Sequence, residues 1–563
     1  MRQRSDSSFI AWRFYLVVVL LAIAVAGLAW RVFDLIIFHQ PFLRQQGDQR
    51  ALRLVGAPAF RGMISDRNGF PLAISTEVYS VWVNPQTFVA SQKQVPILGK
   101  YLNISVGDIE SLVLRYQKKR REFAYLKRDI SPEAAAKIKT LGIPGVYFQQ
   151  EYRRFYPEGE VTAQLIGFTN IDDHGQEGLE LAYNTWLAGE NGKKWVIKDR
   201  VGNVINDIRT VQEQKPGHDL TLSIDRRIQY LAYRELMQGV VTNKARSGSA
   251  IVLDAKTGEV LAMVNYPSFN PNRRPFVANE GMKNRAVTDI FEPGSTVKSF
   301  SLASALESGK YTPDSMIDTS PGWVRVGHTV LRDEHGGHGV LSLTQILQIS
   351  SNVGMTKVIL SLPPEQLWSL LHRVGFGEAT FIDFPGEQNG VLYKPNVWSP
   401  IRLATLSFGY GVSVTTLQLA KAYNVLANSG IKKPLSLLRL EEEPKGERVL
   451  DSKVAQQMLV MMESVFAKGG TAQTIHVEGY HVAGKTGTSW VTGTHGYEKN
   501  RYTSSFAGIA PASDPRLVII VVIHDPQGKQ YYGGFVSGPV FQRIMEGTLR
   551  TLDISPDNEV VNS

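Results

Sequence analysis

The residue types with the most chemistry to offer lie in Phe291-Glu292-Pro293-Gly294-Ser295-Thr296-Val297-Lys298-Ser299-Phe300. A Pro-Gly turn precedes a run in which Val297, Phe300, Ala303 and Leu306 recur at helical spacing, with Gly309 as a stop. Ser295 and Lys298 then share one helix face, one turn apart. A free serine hydroxyl is a weak nucleophile, but a lysine amine whose pKa is lowered by burial can take its proton. The first turn of a helix also aims free N–H groups and a positive dipole end at any oxyanion formed there. Alone, this spacing describes an ordinary surface helix, and Ser429 to Lys432 repeats it at a predicted helix end.

Two later segments change the weight of that serine. Ser350-Ser351-Asn352-Val353-Gly354 falls in a helical stretch from Ser342 to about Leu360. A hydroxyl and a carboxamide two residues apart can face one cavity from a turn between helices. Ser350 could relay a proton to a leaving amine, and Asn352 could hold Lys298 and a substrate amide. The competing reading is a Ser/Asn helix cap, and Ser268-Phe269-Asn270 carries the same pattern in a turn. Gly484-Lys485-Thr486-Gly487-Thr488 lies on a predicted strand. There Lys485 supplies positive charge, and Thr486 and Thr488 offer hydroxyls to a carboxylate. Gly487 lets another backbone come close, so an extended peptide could pair with this edge. Lys256-Thr257-Gly258 is the same string in a hairpin turn. Each motif has a decoy; the ordered set, each on the right kind of element, does not.

The elements that must position these groups follow an α+β order. A strand at Leu220–Ile224 precedes a helix capped by Asp225. Ser249–Leu253 and Glu259–Val264 form a hairpin, and a helical middle includes a segment from Thr415 to about Asn428. Strands at Val482–Ser489, Ser504–Ala510 and Leu517–His524 and a closing helix, Gly533–Leu549, complete this half. Early and late strands of this kind meet in one sheet with helices packed on it. Upstream, Arg61 to Ala73 predicts a hairpin through Asn68-Gly69, Lys118–Arg121 a solvated helix end, and Asp199–Asn203 a turn. Lys215-Pro216-Gly217 marks a boundary.

The chain has 563 residues, room for two or three domains. A net charge of +9 is mild and dispersed, which suits a surface near anionic lipid or wall polymer and does not argue for nucleic acid. With no cysteine, disulfides, thiol nucleophiles and thiolate metal sites are excluded. Glu334-His335-Gly336-Gly337-His338 lacks a metal-helix spacing, and its glycines argue for a loop. Near the N-terminus, Arg2, Arg4 and Arg13 precede an uncharged run from Phe14 to Trp30, with apolar residues continuing to Phe38. This predicts a membrane anchor with its N-terminus in the cytoplasm. The alternatives are a signal peptide cleaved near Ala24-Val25-Ala26, against which the continuing apolar pattern argues, and a buried core helix.

Taken with Arg61-Gly62, Asp66 to Gly69, Tyr156-Pro157-Glu158-Gly159, Gly175 to Glu180, and Gly409-Tyr410-Gly411 with Thr415 and Gln418, the three motifs resemble the penicillin-binding and serine β-lactamase superfamily. Over nearly the whole chain the sequence is similar to class B penicillin-binding proteins, close to the division-specific (septal) peptidoglycan D,D-transpeptidases of Gram-negative bacteria. The resemblance implies an α+β transpeptidase domain at 218–553, an elongated α+β pedestal of the dimerisation type at 39–217, an anchor at 14–38, a cytoplasmic tail at 1–13 and a polar tail at 554–563. It implies that Ser295 attacks the penultimate D-Ala carbonyl of a stem peptide and that a neighbouring strand's amine resolves the acyl-enzyme. Lys298 would be the base, Ser350 would pass the proton on, and Asn352 would position Lys298 and the acyl chain. Lys485, Thr486 and Thr488 would bind the terminal carboxylate, with the N–H groups of Ser295 and Thr488 as oxyanion hole. No metal or cofactor is implied. Expected partners are D-Ala-D-Ala stem peptides, β-lactams, a membrane-embedded glycan polymerase and other division proteins. The expected location is the bacterial inner membrane, with the catalytic domain in the periplasm. Two alternatives remain open: a β-lactamase-like hydrolase or D,D-carboxypeptidase, for which Glu387 would be the deacylating base, and a non-catalytic scaffold or sensor.

Overall fold

The computed structural model describes residues 8–43, 45, 52–198, 204–273, 280–334, 336–394, 397–493 and 496–558. The Asp199–Asn203 turn, His335, residues 1–7 of the expected tail and the last five residues lie outside that set. The chain forms two compact units: residues 1–60, 77–152 and 189–216 in the first, and 61–76, 153–188 and 217–563 in the second.

The first unit begins with helix α1, Ser8–Ile37, of which Ala11–Ile37 is long and apolar enough to cross a membrane, with a mean hydropathy of 2.5. These 27 residues span about 40 Å at ~1.5 Å per residue, more than a bilayer's ~30 Å core. The helix runs unbroken through Ala24-Val25-Ala26. Almost all of the described side chains from Ala11 to Ile37 are exposed, Trp30 at 69%, which suits an apolar surround rather than a protein core. An antiparallel sheet joins Leu52–Ala57, Gly192–Lys198 and Val204–Gln212. A small core around Val81, Val83, Leu98, Leu102, Ile109 and Ile138 lies beneath helices at Gln94–Leu102, Val106–Lys118 and Pro132–Lys139. Ser105 and Ser131 cap the last two, and the Lys118–Arg121 run ends the middle one in solvent, as the charge run predicts.

In the second unit the predicted Asn68-Gly69 hairpin is present: Asp66 Oδ1 accepts the N–H groups of Asn68 and Phe70, both at 2.8 Å. Ile64–Ser65 also pairs in parallel with Leu220–Thr221, which is shorter than the expected Leu220–Ile224 strand because Ser223 N–H bonds to Leu437 instead. A buried cluster binds this region together. Glu180 accepts Arg61 Nε and Arg154 Nε, each at 2.6 Å, and none of the three side chains is more than 1% exposed.

The main sheet has the order β2-β1-β5-β4-β3, all antiparallel, with β1 Ser247–Asp254, β2 Val260–Tyr266, β3 Ala483–Gly493, β4 Gly496–Ala510 and β5 Leu517–His524. All eight residues of β5 are buried, so with side chains alternating between faces both faces must be covered. Adjacent residues of β1 show by what. A Cβ on Gly248 would lie 3.0 Å or less from Val240 and Leu236 of helix α2 (Arg226–Thr242). The next residue, Ser249, bonds through its hydroxyl to Thr416 at 2.8 Å.

Three more helices carry the motifs: α3, Lys298–Glu307; α4, Leu343–Gln348; and α5, Asn352–Leu360. Helix α6, Thr416–Ala427, opens on a Thr415–Gln418 capping box and supplies Thr416 to the sheet. Helix α7, Gly538–Thr551, packs on α2 through Val540 against Gly239. Three boundaries differ from the sequence reading. Residues Gly294–Val297 form a 3-10 turn that leads into α3 rather than its first α-helical turn. The single helix expected over Ser342–Leu360 is two, broken where Ser350 takes φ +63°. The closing helix is also interrupted, with a short Gly533–Val536 turn before α7.

Candidate active site

Strand β3 is an edge strand of the main sheet, paired among the described residues only with β4. The Ser295 turn lies directly against it. A Cβ on Gly294 (φ +56°) would stand 2.8 Å from Thr488 O, and one on Gly487 would stand 2.8 Å from Thr296 Cγ2 and 2.9 Å from Pro293 O. Only residues without a side chain allow this approach. The sequence predicts that Gly487 makes room for an incoming peptide; the side-chain position it leaves empty instead faces the chain's own Pro293–Thr296 turn and Ser505. Gly409 completes the seat, at φ +88° and with a notional Cβ 2.1 Å from Gly294 O. Behind the turn, Tyr423 donates to Thr296 O at 2.8 Å, and its ring stands edge-on to Phe300.

Lys298 and Lys485 are each 0% exposed, and both reach Ser350. Lys298 Nζ donates to Ser350 O at 2.5 Å, to Asn352 Oδ1 at 2.7 Å and to Ser350 Oγ at 3.1 Å. Lys485 Nζ donates to the same Oγ at 3.1 Å and to Thr486 O at 3.1 Å. A hydroxyl has two acceptor sites and one proton, so a Ser350 oxygen filled by two amines keeps its O–H free to donate outward. The break between α4 and α5 is what makes this possible, since it turns the Ser350 carbonyl and hydroxyl toward Lys298. Ser351 is the helix cap, accepting Gly354 N–H at 2.9 Å, so the motif is cap and cluster at once.

Burial brings Lys298 down to about 7, with the Asp333 and Glu334 carboxylates pulling the other way. Burial, and next the Lys298 charge, push Lys485 well below the ordinary lysine range. Two amines this close cannot both carry full charge cheaply. The motif predicts a fixed positive charge at Lys485; burial and the Lys298 charge oppose it.

The Ser295 hydroxyl is half-buried and has no hydrogen-bond partner among the described residues, Lys298 included. Thr486 Oγ1 donates to Thr471 Oγ1 at 2.8 Å, and Thr488 Oγ1 accepts Gly533 N–H at 3.1 Å, which leaves the Thr488 proton available to a ligand. Glu387 is held by Thr380, whose backbone N–H donates at 2.7 Å and whose hydroxyl also donates to it, so this carboxylate closes its own loop. Asp333 and Thr471 were missed in the sequence, since neither sits in a motif. Asp333 follows the Thr329–Arg332 strand of a hairpin turned at Gly327, and nothing but its place after that hairpin signals it. Among the described residues no group of three His, Asp or Glu side chains is placed to hold a metal ion.

A serine on a turn at a sheet edge, with two buried lysines, a second serine and an asparagine on three separate segments, defines a protein built for acyl chemistry at serine. The family model described as the penicillin-binding protein transpeptidase domain matches residues 248–546, and that of the penicillin-binding protein dimerisation domain matches 56–222. The chain belongs to the class B penicillin-binding proteins. It is 43% identical over 561 residues to the peptidoglycan D,D-transpeptidase FtsI of Escherichia coli K12, covering 99% of this chain and 94% of that protein. It is 43% identical over 548 residues to the probable peptidoglycan D,D-transpeptidase PbpC of Pseudomonas aeruginosa, covering 97% and 96%. A peptidoglycan synthetase from Bifidobacterium adolescentis superposes with a TM-score of 0.71 at 27% identity, over 91% of this chain and 98% of that one. The transpeptidase domain of Burkholderia pseudomallei penicillin-binding protein 3 superposes with a TM-score of 0.56 at 37% identity, over 60% and 98%.

Proposed function

We propose that this protein is a serine peptidoglycan D,D-transpeptidase that cross-links stem peptides during septal wall synthesis and is acylated by β-lactams. The observation that carries the reading is the convergence of buried Lys298 and Lys485 on one hydroxyl, that of Ser350, beside the turn that bears Ser295. The curated relatives named as D,D-transpeptidases, matched along nearly their whole length, support it.

In this reading Ser295 Oγ attacks the carbonyl of the penultimate D-Ala. The neutral Lys298 amine takes the hydroxyl proton. The N–H groups of Ser295 and Thr488 stabilise the oxyanion. Ser350, fed by Lys298 and Lys485, gives a proton to the departing D-Ala amine, and the C–N bond breaks to leave an acyl-enzyme. Asn352 keeps Lys298 in place. Lys485, Thr486 and Thr488 meet the terminal carboxylate, whose charge draws Lys485 back toward its protonated form. The amine of a second stem peptide then displaces Ser295 and completes the cross-link. Glu387, bound to Thr380, is not poised to activate water, which favours transfer over hydrolysis.

The functional division we propose is a pedestal at 39–217 and a transpeptidase domain at 218–553. The one apolar helix long enough to span a membrane among the described residues and the likeness to FtsI are consistent with a single-pass inner-membrane protein. We place the N-terminus in the cytoplasm and the catalytic unit in the periplasm. The partners that follow are stem peptides, a membrane-embedded glycan polymerase and other division proteins.

Mass spectrometry of the adduct formed with a labelled penicillin tests the assignment. The label is expected on Ser295, with Ser295→Ala unlabelled and its melting transition unchanged. Label surviving on Ser295→Ala refutes the role of that serine. An acyl-enzyme that turns over within seconds refutes the transferase reading in favour of a hydrolase.

A further inference from the structure

Resting on that reading, we infer that Asp333 is a positioning residue for acyl transfer: its buried carboxylate clamps the first turn of α5 so that Asn352 and Ser350 hold Lys298. The carboxylate spends both oxygens on this turn. Oδ1 accepts the backbone N–H of Asn352 at 2.6 Å and that of Val353 at 2.9 Å, and Oδ2 accepts the Ser351 hydroxyl at 2.7 Å. Asp333 is itself fixed, being 8% exposed with its N–H bonded to Gly322 O at 3.0 Å. The preceding residue adds a second grip, since Arg332 O accepts the Asn352 side-chain NH2 at 3.3 Å. Asn352 is thus held by its backbone and by one end of its amide, and only Oδ1 is left to receive Lys298, at 2.7 Å. Two residues earlier the chain passes through Ser350 at φ +63°, a conformation serine seldom adopts unless its surroundings impose it. The Asp333 clamp on one side and the Ser351 N–H bond to Ile346 O on the other impose it here.

The arrangement also carries charge. The Asp333 carboxylate lies at the positive end of the α5 helix dipole. The charged groups facing Lys298 are Asp333 and Glu334 from this segment and Lys485 from β3; the two carboxylates draw a proton toward Lys298 while burial drives it off. Asp333 therefore sets where the amine is and, secondarily, the pH at which it becomes a base.

The test uses the full-length protein in detergent. Labelled-penicillin acylation rates are measured from acid to mildly alkaline pH for the parent, Asp333→Asn and Ser351→Ala, each with its melting curve. Asp333→Asn keeps the shape and removes the charge. It should lose acylation rate by about a hundredfold, the order seen when a catalytic group is misplaced by an ångström. The acid limb of its residual rate should move to lower pH, because a negative charge that favoured protonated Lys298 is gone. Ser351→Ala removes one donor and leaves the charge, so a smaller loss with an unmoved limb is expected. A folded Asp333→Asn with the parent rate, or with an unmoved acid limb, overturns the inference. If Asp333→Asn does not fold, a parent-like rate for Ser351→Ala overturns it instead. Failure of the parent itself to be labelled on Ser295 counts against the proposed function and not against Asp333.

Discussion

Lys298 and Lys485 are long, ordinarily exposed side chains that here lie wholly inside the protein, donating to the same serine oxygen. A buried amine costs folding free energy unless it gives up its proton, and giving up the proton is what makes it a base. The pH dependence follows with a definite sign. The folded protein holds Lys298 at about 7, far below a free lysine, so the neutral, base-competent form grows as pH rises through that value. Penicillin acylation should climb from pH 6 to 8 along a single limb centred near 7 (about the Lys298 value); a rate flat across that range would remove Lys298 as the base. Lys298→Arg should be inactive across the same range, because a guanidinium stays charged. The candidate side chains could be picked out of the sequence, because serine, lysine and asparagine at these spacings on helix and strand form an ordered pattern. Asp333 was not legible, because its partners are mostly backbone N–H groups, which leave no trace in spacing.

At the scale of elements, the site depends on how closely the 3-10 turn at Gly294–Val297 can approach strand β3. Gly487→Ala would put a methyl group 2.2 Å from Ser505 Oγ and against Pro293 and Thr296. Overpacking of this kind costs about 1–3 kcal/mol, and the turn must retreat to relieve it. The expected outcome is a lowered melting temperature together with a steep loss of penicillin labelling. A variant that labels normally would show that the strand and turn can part without harm. The strands of the main sheet were readable from apolar runs, and the threonines at 415 and 416 marked the start of α6. The break at Ser350 was harder to read. Its flanks are good helix, and what fixes the break is Asp333, which lies outside both helices and takes the N–H groups of Asn352 and Val353 at the start of α5.

Across the whole molecule, the proposed catalytic groups and the Arg61–Glu180–Arg154 cluster belong to one compact unit, while α1 belongs to the other. Removing residues 1–38 should release the protein from the membrane fraction and leave the rate of penicillin acylation unchanged. A fall in that rate would mean the anchor supports the site. Glu180→Gln should do the opposite, destabilising the protein by about 3–5 kcal/mol by leaving two buried guanidiniums short of their counter-charge; a chemical denaturation curve would register it. The amino-acid sequence by itself determined the α+β order, the apolar helix near the start and the three motifs, because periodicity, turn residues and short spacings are local properties. Only the tertiary structure decided that Ser350 is the meeting point of both lysines, that Gly487 makes room for the chain's own turn, and that Asp333 holds the corner. Those are relations between segments far apart in the chain, set by packing and by which backbone groups burial leaves to be satisfied.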